Sequence, residues 1–304
     1  MARLVFLGTP EVAVGPLETL VACGHEVVGV VTRPDRRRAR GGPPVPSPVK
    51  AAALRGGLEV VEDVTEVLDA GAELGVVVAY GRIIPVAVLE RLPMVNLHFS
   101  LLPRWRGAAP VERAILAGDE RTGVCLMTVE PELDTGPVHA CAETVIGADE
   151  TADELRGRLA DLGSRLLAEH LAGGRAGLPP GRPQVGEATY AAKVEPAERR
   201  LRFELPADVV NRTVRIGQAW TTFRGARLLV RRAVPATAPE GSPREGVPGE
   251  LWGTHVRTGG GGWLRLDRVQ PQGRTELDAA AWVRGARPAP GERLGGEDPA
   301  GTGR

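Results

Sequence analysis

The sequence has few cysteines, few lysines and no long apolar run. The missing apolar run and the few cysteines argue against a membrane-spanning protein and against one stabilised by disulfides or zinc. No apolar stretch approaches the ~20 residues that a membrane-spanning helix needs, and the opening MARLVFLGTPE predicts a strand and its turn rather than a signal peptide. Cys23, Cys125 and Cys141 are an odd number without a CxxC pair. We therefore expect a cytoplasmic protein with no disulfide and no zinc site.

Three common catalytic motifs are also absent. The turn after the first predicted strand reads GTPEVAVG, which is neither the GxGxxG of dinucleotide-binding domains nor the GxxxxGK[ST] of P-loop proteins. Ser100 lacks the GxSxG turn of a serine hydrolase. A nicotinamide-linked oxidoreductase, a P-loop enzyme and a serine hydrolase are therefore poorly supported.

The patterns that are present predict an α/β protein of two domains. The chain has 304 residues, which is enough for two cores. Up to residue 183, short β-branched runs alternate with helical patterns, which indicates βαβ units and a parallel-dominated sheet. Residues 184–198 are rich in Pro, Gly and Glu and predict a linker, and residues 199–304 predict a smaller antiparallel β-barrel.

Basic charge is concentrated in two places, although the net charge is zero. Residues 199–304 contain 18 Arg against 11 Asp and Glu, and residues 33–48 form an arginine- and proline-rich stretch without periodicity. A surplus of cations on one domain suggests a polyanionic partner. The alternative is that arginine is simply abundant, since Lys50 and Lys193 are the only lysines.

The segment VNLHFS, residues 95–100, places polar side chains in a predicted buried strand. Asn96, His98 and Ser100 alternate along it, so they share one face. At the carboxyl end of a parallel strand they would open into the crevice where α/β sheets bind ligands. Asn96 could then donate to a developing oxyanion and His98 could move a proton. The alternative is that both are polar groups satisfied by neighbouring backbone.

A third residue favours the catalytic interpretation. Asp134 lies in LDTG, between two predicted strands, and a carboxylate that reached His98 would fix the orientation of its ring. Asp134 could equally be an ordinary turn residue, because Asp is common in turns.

These residues lie within a pattern that resembles the methionyl-tRNA formyltransferase family. The resemblance extends over essentially the whole chain and is carried by FLGTPE, VVTRPD, PSPVK, VVVAYGRIIP, VNLHFSLLPRWRGAAPVERAILAGD, LDTGPV, TYAAK, VQPQG and AAAWVRGAR. It implies a Rossmann-like formyltransferase domain followed by a C-terminal domain of oligonucleotide-binding (OB) type. It also implies transfer of a formyl group from 10-formyltetrahydrofolate to the methionine amine of initiator methionyl-tRNA.

The same resemblance assigns expected roles to single residues. It implies catalysis by Asn96, His98 and Asp134 without a metal. The expected folate-binding segment is Ser100, Leu101, Leu102 and Pro103. The tRNA-reading loop falls on residues 33–48, with Arg36 and Arg40 as its expected contacts. The family also implies a monomer that acts away from membranes.

The chain departs from the family pattern at several places. Gly42 and Pro43 occupy positions where the family often has a Lys pair, and RRLRFEL and VRIGQAWTTF replace its usual sequences. The C-terminal tRNA contacts therefore stay open. Sugar N-formyltransferases, formyltetrahydrofolate hydrolases and glycinamide ribonucleotide formyltransferases share the Asn-His-Asp arrangement and are the nearest alternatives. An RNA-binding protein with an inactive enzyme domain is a further alternative.

Overall fold

The structure is a computed structural model that describes residues 1–37 and 43–296. Contacts between residues divide the chain into two compact units. The first comprises Met1–Val111, Arg121–Val145 and Leu155–Lys193, and the second comprises Glu112–Glu120, Ile146–Glu154 and the chain from Val194 onward. The boundaries expected at 183 and 199 stay predictions. Within the described residues, no helix combines the length and apolar character required to cross a bilayer.

A seven-stranded sheet forms the centre of the first unit. Its strands follow the order β10-β9-β7-β6-β1-β2-β5, with parallel pairing from β7 to β5 and antiparallel pairing of β9 and β10. These seven strands are β1 (Arg3–Gly8), β2 (Glu26–Val31), β5 (Val60–Val61), β6 (Leu74–Val78), β7 (Met94–His98), β9 (Arg121–Thr128) and β10 (Val138–Val145). Two short pairs lie outside it, β3 (Arg36–Arg37) with β4 (Pro44–Val45) and β8 (Arg106–Gly107) with β11 (Tyr190–Ala191).

The apolar runs of the sequence become the central strands of this sheet. Every residue of β6 is buried, as a parallel strand covered on both faces requires. Helices α1 (Val14–Ala22), α2 (Pro48–Arg55) and α3 (Val86–Leu89) belong to this unit, whereas most of α4 (Pro110–Ala117) and the first three residues of α5 (Ala152–His170) fall in the second. At the start of α5, Thr151 and Glu154 satisfy each other's backbone N–H groups in a capping box.

The arginine-rich stretch is more ordered at its ends than its composition indicated. β3 pairs with β4, which brings the two sides of the loop together. The Thr32 and Ser47 hydroxyls are 2.8 Å apart, and the Lys50 ammonium lies 2.9 Å from the Asp35 carboxylate. The interaction of the Lys50 ammonium with the Asp35 carboxylate raises the pKa of Lys50, so the ammonium stays charged at neutral pH. These contacts hold the two ends of the stretch close to each other.

The second unit is built on antiparallel strands. They follow the order β12-β13-β16-β15-β14, and β17 also pairs with β16. The strands are β12 (Trp220–Phe223), β13 (Ala226–Ala236), β14 (Leu251–Trp252), β15 (His255–Arg257), β16 (Trp263–Pro271) and β17 (Leu277–Asp278), with helices α6 (Ala207–Arg215) and α7 (Ala279–Ala286). Val230, Val256 and Leu264 are fully buried in its core beside Trp282. The predicted fold class, an α/β domain followed by a smaller β domain, is confirmed.

One expectation about cysteine was wrong. Cys125 and Cys141 form a disulfide, and Cys23 is free and exposed. The physical reason is register, because Cys125 on β9 lies directly opposite Cys141 on β10. A spacing of 16 residues carries no motif, so this proximity appears only once the two strands pair.

Candidate functional site

The structure places Asn96 and His98 at the carboxyl end of β7. Asn96 pairs in register with Val77 on β6 and Met127 on β9, and His98 pairs with Cys125. Asn96 is half-buried, and its side-chain amide has no hydrogen-bond partner in residues 1–37 and 43–296. His98 is only 5% exposed. The buried ring keeps a defined orientation, and the uncommitted amide is available to donate to a bound molecule.

The His98 ring is held from two sides. Its Nε2 lies 2.8 Å from the Trp105 carbonyl oxygen, and since a carbonyl can only accept, Nε2 carries a proton and donates it. Nδ1 faces the Asp134 carboxylate, with Oδ2 at 3.5 Å. That distance is long for a hydrogen bond, and catalytic contacts often shorten when substrate binds. The structure therefore brings His98 and Asp134 together, with Nδ1 directed at the carboxylate.

Asp134 is positioned by a loop that the sheet topology brings back to β7. It lies between β9 and β10, and its Oδ2 accepts a 2.8 Å hydrogen bond from the Gly107 N–H. Gln184 donates to the carbonyl oxygens of Asp134 and Gly136, each at 2.9 Å, and accepts from the Arg106 guanidinium at 2.7 Å. Gly107 therefore fixes the Asp134 carboxylate directly, and Gln184 fixes the backbone of the loop that carries it.

The backbone around this pair adopts sparsely populated conformations. Trp105 and Asp134 have φ values of 62° and 53°, in the left-handed region that disfavours side chains other than glycine. Gly107, at φ 115°, approaches Ala191 so closely that an added Cβ would lie 3.0 Å from its carbonyl oxygen. Such backbone costs ~1–3 kcal/mol per residue and is concentrated at functional sites.

The residues expected to bind folate follow β7 directly. Ser100 is fully buried, and its hydroxyl donates a 2.5 Å hydrogen bond to the Arg104 carbonyl oxygen. The peptide bond between Leu102 and Pro103 is cis. Ser100 therefore shapes the turn through its own hydroxyl, while Leu101, Leu102 and Pro103 are half-buried.

A cavity of about 430 Å³ lies beside this turn and not at the Asn96–His98–Asp134 cluster. Leu102 is the one residue among the expected site residues that lines it, together with Gln184 from the supporting network. We assign the candidate active site to the Asn96–His98–Asp134 cluster and not to the cavity, because the cluster contains the polar groups that can take part in a reaction.

The structure leaves the expected tRNA contacts less defined. The backbone of Arg36 lies in β3, and Arg40 lies outside the described residues. In the second unit, the guanidinium groups of Arg200 and Arg227 lie 5.5 Å and 4.7 Å from the ring centroid of Trp220. Arg227 is exposed and has no ion-pair partner among the described residues.

Sequence reasoning missed the groups that hold the site together. Trp105 and Gly107 act through their backbones, so residue type alone gives little signal. Gln184 falls in the stretch expected to begin the linker at 184–198, yet within the first unit it contacts the Asp134 loop, and Thr189 accepts a 2.9 Å hydrogen bond from the Trp105 N–H. The described residues contain no cluster of three or more His, Cys, Asp or Glu side chains arranged to hold a metal ion.

Comparisons with known proteins agree with this architecture. A family model described as formyl transferase matches residues 2–171, and one described as formyl transferase, C-terminal domain, matches residues 193–287. The chain is 43% identical to a methionyl-tRNA formyltransferase of Acidothermus cellulolyticus, over 96% of this chain and 99% of that protein. It is 44% identical to that of Thermobifida fusca over 96% and 99% of the two chains.

Solved structures share the fold at lower identity. An N-formyltransferase from Helicobacter canadensis, in complex with folinic acid and dTDP-3-aminofucose, superposes with a TM-score of 0.67 at 15% identity, over 89% of this chain and 100% of that one. The resemblance inferred from the sequence motifs is confirmed by the full-length relatives. On these matches, the chain belongs to the methionyl-tRNA formyltransferase family of formyl transferases.

Proposed function

We propose that the protein transfers the formyl group of 10-formyltetrahydrofolate to the free amine of methionine on initiator methionyl-tRNA. The observation that carries the proposal is the fixed pair of His98 and Asp134 beside the uncommitted Asn96 amide. An amide donor, an imidazole and a carboxylate can supply the oxyanion stabilisation and the proton transfer that assist acyl transfer to an amine. Relatives that match nearly the full chain bear the name methionyl-tRNA formyltransferase.

The proposed reaction begins when the amine lone pair attacks the formyl carbon. The formyl oxygen then gains negative charge, and the Asn96 amide donates a hydrogen bond to it. When its ring carries both protons, His98 shares its Nδ1–H between the Asp134 carboxylate, 3.5 Å away, and the same formyl oxygen, because Nε2–H is already donated to Trp105. Removing one such donor typically costs about 10²–10³ in turnover.

Asp134 has two proposed tasks. It holds His98 through Nδ1, and it assists removal of the proton that the attacking amine must lose. The Gly107 N–H satisfies the same carboxylate oxygen that faces the ring, which keeps the carboxylate in place. As the tetrahedral intermediate collapses, the bond from the formyl carbon to N10 of the folate breaks, and N10 takes up a proton.

The folate donor is proposed to bind along Ser100, Leu101, Leu102 and Pro103. This segment leaves β7 immediately after His98, so a formyl group held there would lie at the strand end. The committed Ser100 hydroxyl supports a role for it in holding the turn in shape, while the half-buried leucines offer apolar contact.

The tRNA is proposed to contact the arginine-rich loop through Arg36 and Arg40, and the second unit through its arginines. The ion pair between Lys50 and Asp35 supports a loop whose two ends are held close together. Phosphate contacts by arginine make affinity fall with salt, and the arginine-flanked Trp220 offers a ring on which a base could stack. A sugar N-formyltransferase has no need for these features.

One assay tests the proposal. The purified protein is incubated with 10-formyltetrahydrofolate and with methionyl initiator tRNA, methionyl elongator tRNA, an amino sugar nucleotide or no acceptor. We expect formylation of the initiator tRNA alone. Formylation of the sugar, or release of formate without an acceptor, would instead assign a sugar N-formyltransferase or a hydrolase.

A further inference from the structure

The disulfide lies in the hairpin that carries Asp134. Cys125 on β9 and Cys141 on β10 are directly opposite each other, and the connection between these two strands contains Asp134. Cys125 also pairs in register with His98 on β7. His98, Cys125 and Cys141 therefore form one row across three adjacent strands, with the disulfide on the edge side of the row.

The two cysteines of the disulfide differ in their exposure to solvent. Cys125 is fully buried, whereas Cys141 is exposed on the edge strand and lines the cavity of about 430 Å³. An incoming thiolate must align with the sulfur it attacks, so access decides which sulfur reacts. The structure favours attack on Cys141 with Cys125 as the leaving thiolate.

The cavity beside Cys141 is bounded by a segment that His139 holds in place, and it is lined by the positively charged side chain of Arg182. His139 donates through Nδ1 to the Pro179 carbonyl oxygen at 2.7 Å, and its Nε2 lies 2.9 Å from the Thr128 hydroxyl, which holds the 179–185 segment against β10. Arg182 lines the same cavity, is exposed, and makes no hydrogen bond or ion pair through its guanidinium within the described residues. A free guanidinium there attracts an anion and favours a thiolate.

We propose that this cavity is a modification site for a small anionic thiol, which forms a mixed disulfide with Cys141. The thiolate attacks the Cys141 sulfur, a new S–S bond forms, and the bond to Cys125 breaks with its electron pair leaving on Cys125, which is then protonated. A second thiolate attacks the mixed disulfide, which releases the small molecule as its own disulfide and leaves both cysteines as thiols. The reverse exchange, with a small disulfide as the oxidant, restores the cross-link, so atoms and electrons balance.

Opening the disulfide changes the support of the active site. The covalent link ties β9 to β10 one strand away from His98, and the loop between these strands places the Asp134 carboxylate. Loss of the link allows this loop more freedom, and small displacements of a reacting group reduce the rate. We expect a drop in turnover of about threefold to tenfold, well below the loss from removing a reacting side chain.

The first test is independent of any enzyme activity. The protein is purified without reductant, quenched in acid, alkylated and digested, and its peptides are analysed by mass spectrometry. We expect Cys125 linked to Cys141 and alkylation at Cys23 alone. Alkylation of all three cysteines, or a link that involves Cys23, overturns the proposal.

The second test asks whether the thiol enters through the cavity. The rate of disulfide opening is measured with mercaptoethanesulfonate, an anionic thiol, and with 2-mercaptoethanol, its neutral counterpart, at low ionic strength. Arg182→Gln should slow the anionic thiol about threefold to tenfold and leave the neutral one unchanged. Equal effects on both thiols, or on neither, contradict entry beside Arg182.

The third test links the site to turnover. Reduction of the parent should lower formyl transfer about threefold to tenfold, reoxidation should restore it, and Cys23→Ser should behave like the parent. The Cys125→Ser/Cys141→Ser variant should be insensitive to reductant; if it does not fold, the reversible change in the parent decides. Equal rates for the oxidised and reduced parent overturn this regulatory role. This activity readout rests on the proposed function, whereas the peptide analysis does not, so the two failures can be told apart.

Discussion

The end of β7 and the arginines around Trp220 in the second unit hold their polar side chains in opposite ways. His98 is buried and held by a carbonyl on one side and a carboxylate on the other. Arg227 is exposed and rests on the Trp220 ring without an ion pair in the described chain. The first arrangement suits bond making, where geometry decides the rate. The second suits binding to a polyanion, where the number of charges decides affinity.

This contrast predicts two kinds of mutant. Changes at the strand end should lower kcat with little effect on tRNA affinity. Changes at exposed arginines of the second unit should weaken tRNA binding and reduce its salt dependence. The rate of formyl transfer within the bound complex should stay unchanged. The experiments below are ordered from the largest expected effect to the smallest.

Asn96→Ala should lower kcat by about 10²–10³, because it removes a donor to the developing oxyanion. The amide has no other hydrogen-bond partner among the described residues, so folding should be unaffected. Thermal unfolding monitored by circular dichroism is the control. Turnover within a few-fold of the parent would show that the amide has no part in the reaction.

Arg40→Ala should raise the KM for tRNA about tenfold and leave folate binding unchanged, because a lost charge-assisted phosphate contact is worth roughly 1.5 kcal/mol. This expectation comes from the family resemblance, since Arg40 lies outside the described residues. Arg55→Ala, an exposed change on α2, is the matched control. Equal tRNA kinetics for the Arg40 variant and the parent would remove this residue from the tRNA site.

Gln184→Ala should lower kcat about fivefold with an unchanged KM for tRNA. The side chain donates to the carbonyl oxygens of Asp134 and Gly136, and loss of such bonds weakens the hold on the carboxylate by roughly 1 kcal/mol. Val185→Ala is the neighbouring control, because Val185 is 86% exposed. A selective rise in KM for tRNA would place Gln184 in tRNA binding instead.

Arg227→Gln should weaken tRNA binding about threefold and reduce the log–log salt slope by about one, if the guanidinium contacts one phosphate. Arg202→Gln is the matched control, because the Arg202 guanidinium is already paired with Glu204 at 2.7 Å. Titrations at several salt concentrations provide both numbers. An unchanged slope for Arg227→Gln would exclude a phosphate contact at this position.

The sequence marks the side chains proposed to react more clearly than the groups that position them. Asn96 and His98 stand out because polar residues are unusual at alternate positions of a buried strand. Asp134 was only a candidate, since the fold must bring a residue 36 positions away to His98. Trp105 and Gly107 contribute backbone groups, which any residue type provides, so their roles required coordinates.

Two other features depended on pairing that no local pattern encodes. Gln184 lies in a Pro- and Gly-rich stretch typical of a linker, and only the tertiary fold shows its contact with the Asp134 loop. Cys125 and Cys141 form a disulfide because the register of the hairpin places them opposite each other. Register depends on the alignment of whole strands and their turn, so the spacing of two cysteines could not predict it.

The central claim is that His98, held by Asp134 and the Trp105 carbonyl, acts on the formyl group itself. Single-turnover formyl transfer from a preformed complex with 10-formyltetrahydrofolate and methionyl initiator tRNA tests it most directly. His98→Ala should slow this step at least about 10²-fold and leave the Kd for tRNA within about twofold of the parent. A single-turnover rate near that of the parent would contradict the account.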